Sequence, residues 1–269
     1  LLRLALEYAR MFDLPVIDHC EDPDLAAGGV MNEGYTSTRL GLRGQPAAAE
    51  EVIVARDVLL AQLTGGHLHV AHVSTRGSVE LIRRARAAGV RVTAEVTPHH
   101  LVLTEEAVLA SGYHGNTKMN PPLRTAADVE ALVAALADGT IDFIATDHAP
   151  HHPDEKEIEF DRAAFGVIGL ETAFPVLYTE LVLKGRLTLS QLIARLTVGP
   201  ARTFGLPYGT LRVGAPGDVT VLDLNRTYTI DPAEFASKGR NTPFAGRRVQ
   251  GAVVATVLEG RVTWREAAE

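Results

Sequence analysis

Three stretches of this chain end an apolar run in residues able to bind a metal ion. PVIDHCED carries His19, HVAHVS carries His72 and FIATDHAPH carries Asp147. Two imidazoles and a carboxylate form a donor set suited to Zn²⁺ or a similar divalent cation. A lone histidine at a strand end is more often a satisfied core or surface residue. Three candidates at equivalent positions, far apart in sequence, are more economically read as one metal centre. In an extended strand residues i and i+2 share a face, so Leu68, Val70 and His72 fall together and His67 and His69 fall opposite. The same rule turns Cys20 and His148 away from their neighbours. His99 and His100 follow another apolar run and are expected to shape the pocket by packing, while His114 and His152 lie in polar loops and carry no signal.

Loop residues supply candidates for holding a substrate. KMNPPLR offers Asn120, an amide with both donor and acceptor, and Arg124, readable either as a surface ion pair or as an anion-binding cation. His151 follows Asp147 by four residues in a Pro-containing turn. The glycines of AFGVIGLET let backbone approach a ligand, or serve only as a turn.

The elements that must position these residues read as repeating βα units. Strands are predicted at Leu14 to Asp18, His67 to His72, Val90 to Val96 and Ile141 to Thr146, with helical patterns between them. One helix covers Glu50 to Leu63. A second buries Val79, Leu81, Ile82 and Ala85 behind a capping region at Ser74 to Ser78, and a third, capped by Thr125, buries Val129, Leu132, Val133 and Leu136. Helical stretches follow near Gly169 to Leu183 and Leu189 to Phe204. The tail changes to short strands, including Gly217 to Leu224 and Val249 to Trp264.

The fold class is therefore α/β. The expectation is the C-terminal half of a (β/α)₈ barrel over residues 1–205, with a small β appendage, part of a β-sandwich, over 206–269. Half a barrel leaves two unpaired strand edges and an uncovered interior face. The pattern Leu1, Leu2, Leu4, Ala5, Tyr8 and Ala9 is already helical at the first residue, so the chain is expected to open in mid-element.

The 269 residues are 46% hydrophobic and 22% charged, the composition of a globular domain. A net charge of −7 from scattered charges of both signs gives no basic run for nucleic acid. No apolar run approaches the roughly 20 residues of a membrane span. One cysteine, Cys20, excludes an intrachain disulfide and agrees with a cytoplasmic location.

Taken in order, HCED, HVSTRGS, EVTPHHL, KMNPPLR, ATDHAPH, FGVIGLETAFP and SKGRNTPFAG resemble the bacterial long-chain dihydroorotases of the amidohydrolase superfamily. The resemblance covers essentially the whole chain. It implies a two-zinc centre in which His19 and His72 bind one ion while Asp147 binds the other and serves as acid/base. Asn120, His151 and the backbone of Phe165 and Gly166 would contact the substrate. Further ligands, a His-x-His pair and a bridging carboxylate, are expected upstream of Leu1, so this chain alone is expected to be inactive. Asp18 departs from the pattern, which has a small or apolar residue before the histidine. The implied reaction is reversible cyclisation of carbamoyl aspartate to dihydroorotate in pyrimidine biosynthesis. A homodimer or association with aspartate transcarbamoylase is compatible with this family. Two other readings remain open: a non-catalytic scaffold for aspartate transcarbamoylase, and a hydantoinase, dihydropyrimidinase or allantoinase.

Overall fold

A computed structural model describes residues 1–266. In chain order its strands are β1 (Pro15–Asp18), β2 (Met31–Asn32), β3 (Gly44–Gln45), β4 (His67–Val70), β5 (Val92–Val96), β6 (Phe143–Ile144), β7 (Val219–Thr229), β8 (Arg248–Leu258) and β9 (Arg261–Arg265). Strands β1, β4, β5 and β6 lie side by side in that order, all parallel. Their period of two separates two faces. Val16, Leu68, Val70, Val92, Ala94 and Val96 pack under helices, while Ile17, His67, His69, Thr93 and Glu95 occupy the opposite face.

The covering helices are Leu2–Arg10, Ala48–Thr64, Arg76–Ala87 and Ala126–Asp138. They bury Leu6, Ile53, Val54, Val79, Ile82, Leu132, Val133 and Leu136 against the sheet. Each such side chain contributes about 1.5–3 kcal/mol of transfer free energy. The predicted caps form: Thr75 accepts from the Ser78 amide, and Thr125 and Asp128 make a reciprocal capping box. Gly139 ends the last helix at φ 90°, a conformation that costs a side chain-bearing residue strain.

Three strands are shorter than the apolar runs suggest. β4 stops at Val70, β5 starts at Val92 and β6 pairs only Phe143 and Ile144. Between Val96 and Thr125 the chain forms helices Pro98–Val102 and Glu106–Ala110, a 3₁₀ turn at Gly115–Thr117 and a cis Asn120–Pro121 bond. The helix predicted near Gly169 to Leu183 is an α-helix over Ala173–Leu177 running into a π turn over Tyr178–Val182. The next predicted helix breaks at Thr197, where φ is −130° and ψ −80°, into Leu189–Leu196 and Val198–Thr203.

β7, β8 and β9 form an antiparallel sheet. It sits on the helical layer through a cluster of Ile230, Phe244 and Val249 with Val176, and the Gln250 amide donates to Thr179 Oγ1. Among the described residues no helix is long and apolar enough to cross a membrane.

Candidate metal and substrate site

His19 immediately follows Asp18, the last residue of β1. Had alternation continued past β4, His72 would have joined Leu68 and Val70 beneath the helices. Instead the pleat ends at Val70, and His72 adopts φ 32°, which corrects the face expected from strand alternation. Asp147, three residues beyond β6, also lies at positive φ, 47°. Such backbone costs a non-glycine residue roughly 1–2 kcal/mol. Both residues are turned out of the sheet plane at its C-terminal edge, where the mouth of a barrel would lie.

The rings of His19 and His72 meet edge to face, with His19 Nδ1 2.9 Å from His72 Nε2. Two nitrogens each about 2.0–2.1 Å from one tetrahedral zinc stand about 3.3 Å apart, so a few tenths of an ångström separate this pair from a ligand pair. Burial, reinforced by the neighbouring His19, lowers the His72 pKa. The ring is thereby kept neutral, with a lone pair available for a cation. His19 Nε2 faces Glu21 Oε2 at 3.4 Å, leaving Nδ1 as the atom aimed at His72. The pair fits one ion. His67 and His69 do not join it: both reach Thr93 Oγ1, and buried His69 also reaches Glu95 at 3.2 Å.

A different group, Asp18, Cys20 and Asp57, brings three donor atoms within 4.8 Å of one another. Burial and the Asp57 carboxylate push the Cys20 thiol up, while burial and a hydrogen bond with Asp18 raise Asp57 to about 7. Arg56 already supplies the cation, 2.7 Å from Asp57 and 3.8 Å from Asp18. A retained proton and a paired guanidinium leave that group a poor fit for a metal.

On the substrate side, a cavity of about 340 Å³ is lined by Glu21, Gln45, Lys118, Asn120, Asp161 and Phe165. Glu21 Oε2 accepts from Asn120 Nδ2 at 2.7 Å and from Gln45 Nε2 at 2.9 Å. One carboxylate thus links the imidazole pair to the amide lining the cavity. His151 and Gly166 are neighbours: a Cβ added at Gly166, whose φ is 115°, would stand 2.7 Å from Ala149 Cβ and 3.3 Å from His151 Nε2. Asn241 braces both residues, accepting from the His151 amide at 3.1 Å and donating to Gly166 O at 3.2 Å. His148 turns toward the Gly169 and Leu170 amides and Ser237.

Arg124 is neither a surface ion pair nor a ligand-facing cation. It is 1% exposed, and its guanidinium donates to Ser74 Oγ, Asn32 Oδ1 and Gln45 O. It therefore fixes the backbone that presents Gln45. His99 and His100 are buried, and His100 holds Pro121 O at 2.9 Å. Sequence reasoning missed Glu21, Gln45 and Asn241; HCED and SKGRNTPFAG contained two of them without any chemical signal. A larger cavity, about 450 Å³, lies against the C-terminal sheet beside Tyr228, Phe235 and Trp264. None of the candidate residues lines it.

The amidohydrolase family profile matches residues 1–263. This chain belongs to the amidohydrolase family. Over 266 residues it is 59% identical to the dihydroorotase of Pelotomaculum thermopropionicum, covering 99% of this chain and 62% of that protein. It is 58% identical to the dihydroorotase of Anaeromyxobacter dehalogenans, covering 61% of its length. This amidohydrolase chain thus spans about three fifths of the curated relatives it matches. Among solved structures, the L-hydantoinase of Arthrobacter aurescens superposes with a TM-score of 0.89 at 31% identity, covering 99% of this chain and 60% of that one. The dihydropyrimidinase of Brevibacillus agri gives 0.87 at 26% identity, covering 98% and 59%. The parallel sheet with its covering helices is accordingly part of an amidohydrolase barrel, followed by a C-terminal β sheet.

Proposed function

We propose that this amidohydrolase chain is part of a zinc-dependent dihydroorotase. In the hydrolytic direction a water oxygen bonds to the ring carbonyl carbon of dihydroorotate, the ring carbon–nitrogen bond opens, and the nitrogen leaves with a proton as carbamoyl aspartate. Cyclisation is the reverse, with loss of water. The observation that carries the hydrolytic reading is the convergence of His19 Nδ1 and His72 Nε2 beside the cavity that Asn120 and Phe165 line.

His19 and His72 would hold one zinc and Asp147 a second, with ligands from outside these residues completing both. Bound zinc supplies Lewis acidity toward the carbonyl and lowers the pKa of water. Asp147 acts as acid/base, taking the attacking water's proton and returning it to the leaving nitrogen. Asn120 and His151 orient the ring and its carboxylate, and the backbone at Phe165 and Gly166 closes over them. Residues 1–205 are read as part of the barrel and 206–269 as part of a small β-sandwich. A reducing cytoplasm and a small-molecule substrate complete the assignment.

Fold similarity gives a hydantoinase or dihydropyrimidinase as the second reading. Dihydroorotase is favoured by relatives at 59% and 58% identity against 31% and 26% for the solved hydantoin-type enzymes. The deciding experiment measures zinc content and turnover of dihydroorotate, hydantoin and dihydrouracil by the protein with its complete ligand set. About two zinc ions and a preference for dihydroorotate are expected. Preference for hydantoin would replace the substrate assignment, and a metal-free protein inert on all three would replace the enzyme assignment with a scaffold.

A further inference from the structure

Lys156 lies in PDEKEIE, a run that reads as solvated charge, yet it is only 2% exposed. Its Nζ donates to three backbone carbonyls: Ala164 O at 2.7 Å, Gly166 O at 2.8 Å and Lys118 O at 3.3 Å. Among the described residues no carboxylate lies within ion-pair distance of it. An ammonium has three N–H donors for three acceptors, whereas a neutral amine has two and turns its lone pair toward the third. The Gly166 amide also donates to Lys118 O at 3.0 Å, so one buried cation ties the two segments where they touch.

These segments form two edges of the proposed substrate cavity. Asn120 is two residues beyond Lys118, and Phe165 immediately precedes Gly166. The Lys118 ammonium is held by Asp161 O at 2.9 Å and sits 4.5 Å from the centre of the Phe165 ring. Packing leaves little play, since a Cβ at Gly115 would stand 2.4 Å from Lys156 O.

We propose that Lys156 is a positioning residue that fixes the spacing between the Lys118–Asn120 and Phe165–Gly166 edges, and so sets substrate affinity more than the chemical step. This rests on reading Asn120, Phe165 and Gly166 as substrate contacts. Burial, reinforced by the Lys118 charge and opposed by Glu155, lowers the Lys156 pKa to about 8. The third donor is therefore lost as pH rises through about 8. An unfolded lysine keeps its proton to about pH 10.4, so between these values the unfolded chain binds more protons and this group's effect on stability improves with pH. A KM that worsens in that window reports the pocket rather than unfolding of the chain.

The test is steady-state kinetics on dihydroorotate from pH 6.5 to about 9.5 with the full-length enzyme, wild type against Lys156→Met and Lys156→Arg. Wild-type KM is expected to climb through about pH 8, and Lys156→Met to start about tenfold higher, with kcat within about twofold and no rise at that pH. Lys156→Arg, which stays charged, should also lose the rise. An unchanged KM in Lys156→Met, or a loss confined to kcat, overturns the proposal. Should the variants fail to fold, a wild-type KM flat across pH 8 overturns it just as well. If the enzyme prefers hydantoin or dihydrouracil, the same profiles are read on that ring, so the substrate assignment fails separately.

Discussion

The two halves of the site are built differently. On the metal side, His19, His72 and Asp147 project from strand ends, two of them at positive φ, and the paired imidazoles are held mainly by each other and Glu21. On the substrate side, loops are braced from behind by the buried polar groups of Lys156, Asn241, Arg124 and His100. The proposed metal side thus has few protein bonds holding its donors in place, whereas the proposed substrate side is held by many. Sheet edges can present ligands with few supporting bonds, but a loop that must hold a shape needs its carbonyls and amides satisfied.

The largest test of this division is Asp147→Asn in the full-length enzyme. Turnover is expected to fall about 10²–10⁴-fold while much of the substrate affinity survives, because the braced side is untouched. Unchanged turnover would remove Asp147 from acid/base work.

A second test uses acid against the bracing. Burial holds His100 at about pKa 4, and its neutral ring is satisfied by Thr97 Oγ1 at 2.8 Å and Pro121 O at 2.9 Å. An unfolded histidine titrates near 6.5, so between these values the unfolded chain binds a proton that the fold refuses. Its contribution is complete above about pH 6.5 and declines toward pH 4, by roughly 3 kcal/mol in all. His100→Gln should flatten that part of the unfolding free energy against pH; an identical slope would contradict the assignment. The smallest expected effect comes from Asn241→Ala. It leaves the Ala149 carbonyl without its donor and the His151 amide without its acceptor, costing about 1–3 kcal/mol and raising KM, with zinc content unchanged. Zinc lost in parallel would erase the distinction between the halves.

The placement of His19, His72 and Asp147 just past the ends of β1, β4 and β6 was legible because apolar runs point at their own ends. The caps at Thr75 and Thr125 were legible for a similar local reason. Alternation misplaced the face of His72 because the strand ends two residues earlier, and periodicity contains no information about positive φ. The substrate side was harder, since its brace residues act across long separations. Arg124 is buried with hydrogen bonds to residues 32, 45 and 74, and Lys156 looks solvated until the carbonyls of residues 118, 164 and 166 surround it. Phe165 and Gly166 entered only through family resemblance, as backbone contacts leave no side-chain signature.

The positive φ at His72 also bears on how the site can be rebuilt by chemistry. Glycine adopts that conformation freely, so His72→Gly would keep the turn while opening an imidazole-sized vacancy opposite His19. Free imidazole could then diffuse into the place of the missing ring, making the site a candidate for exogenous ligand complementation, with metal affinity under external dosage.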